Sequence, residues 1–262
     1  MIEKKWCLIL GVSSGIGKAC AKSLSRNGWN IIGVYFDIAE NEGMIEQLKA
    51  ELMKNSEHVH FFNKNADNHK ARAEIVVDIG RILSGARIDI FLHSLAFGTL
   101  LPFIKDDSQQ QTIQKTQMDM TLSVMAHSLV YWTQDLWDRG LLGRGSKIFA
   151  MTSGGSVMYS KNYGAVSAAK CALESHVRQL ATELAPHGVM VNCLRAGITD
   201  TPALRKIPEF EALLRRAKEN NPHRRLSTPE DIGEALCALS KMTQSWMTGN
   251  VINVDGGEIL MI

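Results

Sequence analysis

Residues 5–17, Lys-Trp-Cys-Leu-Ile-Leu-Gly-Val-Ser-Ser-Gly-Ile-Gly, run from a short apolar segment of buried-strand type into a turn carrying three glycines. An amphipathic stretch continues to Asn27, so the local order is strand, glycine turn, helix. Gly11, Gly15 and Gly17 let the backbone turn tightly, approach a pyrophosphate and pack the helix onto the strand, while the helix N-terminus favours phosphate charge. The spacing is G-x-x-x-G-x-G. Such a turn also serves structure alone, so its meaning depends on the rest of the chain.

Beyond Asn27 the chain alternates regularly. Apolar strand-like runs are read at 5–10, 30–36, 59–63, 88–93, 147–152, 189–194 and 251–254. Helical patterns separate them near 40–55, 69–83 and 108–139, in a stretch running to about Pro186, and after Thr228-Pro229-Glu230-Asp231. This predicts an α/β fold with a doubly wound parallel sheet of about seven strands, built as one domain over 1–262. In the helix expected at 108–139, Met118, Leu122, Met125, Leu129 and Trp132 form a core or subunit-interface stripe. Residues 198–226 are irregular and basic, and so long a segment between strand and helix reads as a substrate lid, with a solvated amphipathic helix as the plainer account of part of it.

Composition excludes more than it assigns. Hydrophobic residues make up 45% and charged residues 21% of the chain, with a formal charge of +2 and pI near 8.2, which argues against a dedicated nucleic-acid binder. The five cysteines are scattered without a C-x-x-C and read as reduced thiols. No apolar run approaches membrane-spanning length and the N-terminus lacks an export pattern, so a soluble cytoplasmic protein is expected. The eight histidines include no H-E-x-x-H, and His58 and His60 find no third ligand, so no metal site is expected.

Candidate binding residues lie where strands end. Asp37 closes the second strand, where a carboxylate accepts from both adenosine ribose hydroxyls and repels a 2′-phosphate; a helix cap is the other reading. No basic residue comes directly after it, and Ser14 stands where a phosphate-binding cation would be, so NADH is favoured over NADPH. Asp67 is placed to meet the adenine edge. His93-Ser94-Leu95-Ala96-Phe97-Gly98 is a small-residue loop at a strand's carboxyl end, either a ligand edge or simply a turn.

The chemistry is expected in Ser153–Lys170. Tyr163 and Lys170 are two helical turns apart and share one face, or else form an ordinary surface pair. An ammonium near a phenol favours charge on the phenol, and such a donor suits a developing enolate or alkoxide oxygen.

With the Gly11–Gly17 turn, Asp67, Ser153, Lys170 and the closing V-D-G-G in this order, the chain resembles the short-chain dehydrogenase/reductase superfamily over nearly all its length. That resemblance implies a Rossmann-type sheet. The superfamily's usual Tyr-x3-Lys is absent, because the residue four before Lys170 is Val166. Tyr163 gives Tyr-x6-Lys, as in enoyl-acyl carrier protein reductases, and the His93–Phe97 loop and Ala196-Gly197 resemble that family too. Tyr159 and Tyr163 with Asn162 between them look most like the enoyl reductase III branch, whose members tend to use NADPH.

The resemblance implies reduction of a trans-2-enoyl thioester of acyl carrier protein or coenzyme A in fatty acid synthesis. Tyr163 would hold the enolate oxygen, Lys170 would bind the nicotinamide ribose, Tyr159 would be a second donor or pocket wall, and Ser153 would lie near the nicotinamide. Gly11, Ser14, Gly15, Ile16 and Gly17 would meet the phosphates, Asp67 and Asn68 the adenine, Ser94, Leu95, Thr199 and Thr201 the nicotinamide half, and Gly98 the thioester. Leu10 replaces a turn-stabilising Thr, and Thr121 or Asp119 stands where an Asn would relay protons. A homotetramer is implied by the same likeness. An ordinary carbonyl or alcohol oxidoreductase and a non-catalytic dinucleotide sensor are the alternatives.

Overall fold

The first strand, β1 (Trp6–Leu10), is buried along its whole length. A strand apolar on both sides needs cover on both faces, and this is what a parallel sheet between two helical layers provides. The computed structural model describes residues 5–38, 41–105, 111–207, 209–243 and 246–261. Its other strands are β2 (Asn30–Tyr35), β3 (Val59–Asn63), β4 (Ile90–His93), β5 (Lys147–Ser153), β6 (Met190–Ala196) and β7 (Val251–Val254). They form one sheet in the order β3-β2-β1-β4-β5-β6-β7, with every neighbouring pair parallel. The single α/β domain and the seven strands agree with the sequence reading.

Alternation along β1 sorts its side chains between two cores. Trp6, Leu8 and Leu10 join the core made with α3 (His69–Leu83), α5 (Ser128–Asp138) and α6 (Gly164–Leu184). Cys7 and Ile9 join the opposite core, with α1 (Gly15–Arg26), α2 (Glu42–Leu52) and α8 (Pro229–Ser240). The chain leaves β1 toward β2 on one side and reaches β4 on the other, so the carboxyl ends of β1 and β4 frame the crevice in which such sheets bind ligands.

The long helix expected from 108 is shorter and interrupted. It begins with α4 at Lys115–Leu122, passes through a π-helical turn at Ser123–His127 and continues as α5. Gln114 and Gln117 explain the start: the Gln117 side chain accepts from the Gln114 amide at 2.9 Å, closing the first turn. Positions 108–110, and position 40 at the expected start of α2, lie outside the described residues. The cap expected at Thr228 is present, with Asp231 accepting from the Thr228 amide at 2.7 Å and the Thr228 hydroxyl accepting in return at 3.2 Å.

The fold is tightest at the carboxyl end of β1. Gly11 has φ +86°, and a Cβ there would lie 2.5 Å from the Ser94 carbonyl oxygen. A Cβ on Gly17 would lie 2.0 Å from the Gly11 carbonyl oxygen, closer than any real contact allows. Gly43, by contrast, has nothing within 4 Å of its missing side chain. Gly17→Ala is therefore expected to destabilise the protein by at least ~2 kcal/mol through backbone displacement, and Gly43→Ala to change stability by under ~1 kcal/mol, in the stabilising direction. Urea unfolding of the two variants checks the contrast.

Candidate active site

The glycine turn joins β1 to α1 as the sequence reading requires. The Gly11 amide donates to the Val34 carbonyl oxygen at 2.8 Å, tying the turn to β2. Ser14 is exposed at the cap of α1, and its side chain makes no capping bond, so the first amides of the helix face outward beside Gly15 and Ile16. A turn whose carbonyl contacts exclude any side chain, leading into a helix N-terminus, fits a dinucleotide pyrophosphate.

Asp37 comes after the end of β2, half-buried, with its carboxylate accepting from the Asn41 side chain at 2.7 Å. Its own amide and carbonyl are both bonded to the Asn63 side chain, which fixes the turn. The capping position of α2 belongs to Asn41, so Asp37 is not that helix's cap. Beyond β3, the Asp67 carboxylate accepts from the Ser123 hydroxyl at 2.7 Å, joining this loop to the π-helical turn. Asn68 is occupied differently: its side-chain oxygen caps α3 by accepting from the Ala71 amide at 2.9 Å. That oxygen is committed to the helix, which leaves only its amide nitrogen for an adenine.

The loop after β4 is anchored at both ends. The Ser94 amide donates to the Leu10 carbonyl oxygen at 3.0 Å, and the Thr99 amide donates to the Thr121 hydroxyl at 3.0 Å. Leu95 packs against the core. Gly98 is surrounded by Thr121, Val166 and Met125, whose atoms would lie 2.7–3.1 Å from a Cβ. The space its hydrogen leaves is thus filled by protein side chains, and only its backbone is available to a ligand. Of the two candidates for the missing Asn, Thr121 is wholly buried and holds this loop, while Asp119 is exposed and paired with Lys115.

His93, at the end of β4, is completely buried with Nε2 2.8 Å from the Ser128 hydroxyl. Ser128 spends its own proton on the Val124 carbonyl oxygen, so Nε2 carries the hydrogen and Nδ1 is left as an acceptor. Nδ1 is buried without a partner. Burial first, and the Lys170 charge second, push the imidazole down to about 3, so it is neutral at pH 7.

Tyr163 occupies the position just before α6, after Asn162 at φ +61°, and its carbonyl accepts from the Ser167 amide to start the helix. The expectation that Tyr163 lies within the helix is corrected by this geometry. Its ring covers Gly155, where a Cβ would lie 2.4 Å from the ring. Burial raises the phenol above its ordinary value, and the Ser153 hydroxyl pulls it back. Ser153 Oγ is buried and closes no hydrogen bond, so we take the two hydroxyls as close neighbours, not as a bonded pair.

Lys170 is buried on α6, with Nζ donating to the Met151 carbonyl oxygen at 2.7 Å. Burial lowers it to about 8, against the opposing pull of Cys193 and Glu174. The expected direct action of the ammonium on the phenol is not what the geometry shows, since Lys170 is held on β5. Tyr159, expected beside Tyr163, is 90% exposed on the surface of the intervening loop.

Residues 198–207 and 209–226 lie along this edge, and position 208 of the expected lid is outside the described residues. The Thr201 methyl lies 3.4 Å from a Cβ built on Gly15, Lys206 Nζ stands 5.9 Å above the Phe97 ring, and Glu209 pairs with Lys161 at 3.0 Å. Thr199 bridges in parallel to Ser227. The segment thus touches the glycine turn, the loop after β4 and the loop before Tyr163, bringing Thr201 into the group and Thr199 next to it. Sequence reading did not pick out His93 Nδ1, Thr152, Glu174 or Arg195; the signal available was Glu174 one turn beyond Lys170 and a charged residue inside the apolar run 189–196.

A seven-stranded parallel sheet with a glycine turn after β1, a serine at the end of β5 and a lysine on the next helix defines a short-chain dehydrogenase/reductase. The family profile described as enoyl-(acyl carrier protein) reductase matches residues 11–258, and the chain belongs to that family, whose members are oxidoreductases. It is 26% identical over 260 residues to the enoyl-[acyl-carrier-protein] reductase [NADH] FabI of Escherichia coli, covering 98% of this chain and 94% of that one. It is 27% identical to the protein FixR of Bradyrhizobium diazoefficiens, covering 98% and 88%. A probable 2,4-dienoyl-CoA reductase of Bacillus subtilis is 26% identical, covering 99% and 98%. Among solved structures, the enoyl-[acyl-carrier-protein] reductase (NADH) of Aquifex aeolicus superposes with TM-score 0.82 at 25% identity over 98% of this chain and 97% of that one.

The buried His93 makes stability depend on pH. Its folded value near 3 lies below the ordinary 6.5, so its contribution is complete above pH 6.5 and is lost as pH falls toward 3. At pH 4.5 the loss is expected to reach ~2–3 kcal/mol. His93→Gln, which keeps a donor for Ser128, should flatten the acid limb of a urea-unfolding series between pH 7 and 4.5.

Proposed function

We propose that the protein reduces the carbon–carbon double bond of a trans-2-enoyl thioester of acyl carrier protein or coenzyme A, using NADH. The observation that carries this reading is the pairing of Tyr163 with Val166. Val166, at the ordinary phenol position, is buried in a small core with Met125 and Ala169, so no polar group occurs there. The phenol stands almost a helical turn earlier, where it reaches a carbonyl oxygen displaced from the carbon that accepts the hydride. An enoyl thioester has that geometry, because its oxygen is separated from the β-carbon by two bonds more than a ketone's oxygen is from its own carbon.

A bound nicotinamide would supply the hydride to the β-carbon. Tyr163, kept protonated by burial, donates to the thioester oxygen as negative charge develops there. Ser153 leans on the same phenol, and Lys170 presents its ammonium at the ribose edge of β5. The loops beside Tyr163 expose Phe97, Phe103 and Val157, an apolar rim suited to an acyl chain. Ser94, Leu95, Thr199 and Thr201 flank the nicotinamide half, Asp67 and the Asn68 amide the adenine. Tyr159, exposed on its loop, takes no part in this arrangement, and segment 198–226 serves as the lid.

Three observations support NADH. Asp37 offers a carboxylate at the ribose position, Ser14 adds no cation, and the Escherichia coli relative is named as an NADH enzyme. A structure from Anaplasma phagocytophilum that is similar in fold, with TM-score 0.80 at 19% identity, was solved in complex with NAD. The scattered free cysteines fit a reducing cytoplasm, and no helix among the described residues is long and apolar enough to cross a membrane. A homotetramer is part of the proposal by likeness.

The test monitors the absorbance of NADH, and separately NADPH, with a medium-chain trans-2-enoyl thioester. Tyr163→Phe is expected to lower kcat by about 10²-fold or more, the size of losing one oxyanion donor. Lys170→Ala should mainly raise KM for the cofactor. Consumption of ketones with no consumption of enoyl thioesters would overturn the assignment.

The lid separates two sets of basic residues. Arg205 is held by Asp200 at 2.7 and 2.8 Å and Arg225 by Asp231 at 2.6 and 2.8 Å. Arg215 and Arg216, on α7 (Phe210–Asn220), are exposed and make no salt bridge among the described residues. Docking of an acidic carrier protein should therefore depend on the second set. Arg215→Glu is expected to raise KM severalfold for a carrier-linked substrate and leave it nearly unchanged for the coenzyme A thioester; equal effects would remove the docking idea.

A further inference from the structure

Behind Lys170 lies an ion pair that none of the roles above uses. Glu174 is one turn further along α6 and therefore on the same face as Lys170. It is buried, and its Oε1 accepts from the Thr152 hydroxyl at 2.7 Å and from Arg195 Nη2 at 3.2 Å. Arg195 comes from β6, where it pairs in register with Thr152 of β5, and both members of the ion pair are only 11% exposed at the side chain. Nη2 also reaches the Ser156 hydroxyl at 3.3 Å, and that hydroxyl donates to the Ser153 carbonyl oxygen at 3.1 Å. Arg195 Nε is buried without a partner, so the guanidinium is placed for these contacts and not for its own full satisfaction.

The chain of contacts has two ends. One is the turn carrying Ser153. The other is the face of α6 carrying Lys170, whose Nζ binds the carbonyl of Met151, the residue before Thr152. A buried carboxylate one turn from a buried ammonium would normally capture it, since each is the nearest remedy for the other's desolvation. Here the carboxylate is engaged elsewhere, by a hydroxyl and a guanidinium.

We propose that Arg195 and Glu174 are positioning residues: Arg195 occupies the Glu174 carboxylate and holds it on Thr152, so that the Lys170 ammonium stays on Met151 at the cofactor edge and is not drawn into a salt bridge with Glu174. The role of Lys170 at the ribose rests on the function proposed above, while the electrostatic arrangement does not. The charged and titratable groups around Lys170 are His93 from β4, Cys193 and Arg195 from β6, and Glu174 from α6 itself. Tyr163 stands at the start of the same helix.

The experiment is a lysine side-chain NMR titration, with the Lys170 signal identified by its loss in Lys170→Gln, on the full-length protein. Arg195→Met should raise the Lys170 midpoint by about one pH unit, because the freed carboxylate stabilises the ammonium. Glu174→Gln should move it the opposite way, since the remaining guanidinium opposes the ammonium. The double variant should return close to the parent, and Arg195→Lys should stay there. NADH affinity, read by fluorescence, should show the same order for Arg195→Met, weakening about tenfold and recovering in the double variant. If both single variants leave the midpoint unmoved, or the double variant is worse than either, the pair is a packing element and the proposal fails. If Arg195→Met does not fold, Arg195→Gln takes its place with the same upward shift expected, and an unmoved midpoint there overturns the proposal. Variants that show these shifts alongside a parent that does not reduce enoyl thioesters would refute the proposed reaction and keep the positioning role.

Discussion

The structure depends on three backbones meeting where no side chain can stand. At the carboxyl end of β1, Gly17 of the first helix lies against the Gly11 carbonyl, and Gly11 lies against the Ser94 carbonyl of the loop after β4. This contact sets the angle at which α1 leaves the sheet and the distance between the β1 and β4 edges, and so fixes both walls of the crevice. The two cores then fill automatically, because strict alternation on β1 delivers Cys7 and Ile9 to one side and Trp6, Leu8 and Leu10 to the other.

A second constraint concerns charge. Lys170, His93 and the Glu174–Arg195 pair are buried within neighbouring strands and the helix that covers them. Such groups are costly unless each is bonded, and nearly every one here is: His93 to Ser128, Lys170 to Met151, Glu174 to Thr152 and Arg195. The unbonded atoms that remain in this region, His93 Nδ1, Ser153 Oγ and Arg195 Nε, are fully buried.

The fold was legible in the sequence because its signals are local and repeated: seven apolar runs, each bounded by turn residues, and a glycine turn at the first of them. The site was legible in part, since Val166 in place of a phenol and Tyr163 before it are visible by counting back from Lys170. What could not be counted was direction. Sequence spacing placed Tyr163 and Lys170 on one face, yet Tyr163 stands outside the helix and Lys170 turns to the Met151 carbonyl. Gly98 invited a ligand reading, and the chain fills that space with Thr121, Val166 and Met125. The Thr152–Glu174–Arg195 group joins three elements through contacts between β5, α6 and β6, and no periodicity announces such a meeting.

The π-helical turn at Ser123–His127 has a consequence for how this segment can vary. A π turn holds about one residue more than an α-helical turn, so its removal would leave a continuous helix with sound backbone bonding. The parts upstream and downstream would keep nearly the same facing, because one turn with an extra residue becomes one turn without it. Thr121, which holds Thr99, and Ser128, which holds His93, fall on either side of that turn and grip the two ends of one loop. A one-residue deletion here would spare both the helix and the loop, whereas the same deletion, were the turns between Thr121 and Ser128 α-helical, would turn one against the other by about 100°, which makes this turn the place where the segment can change length.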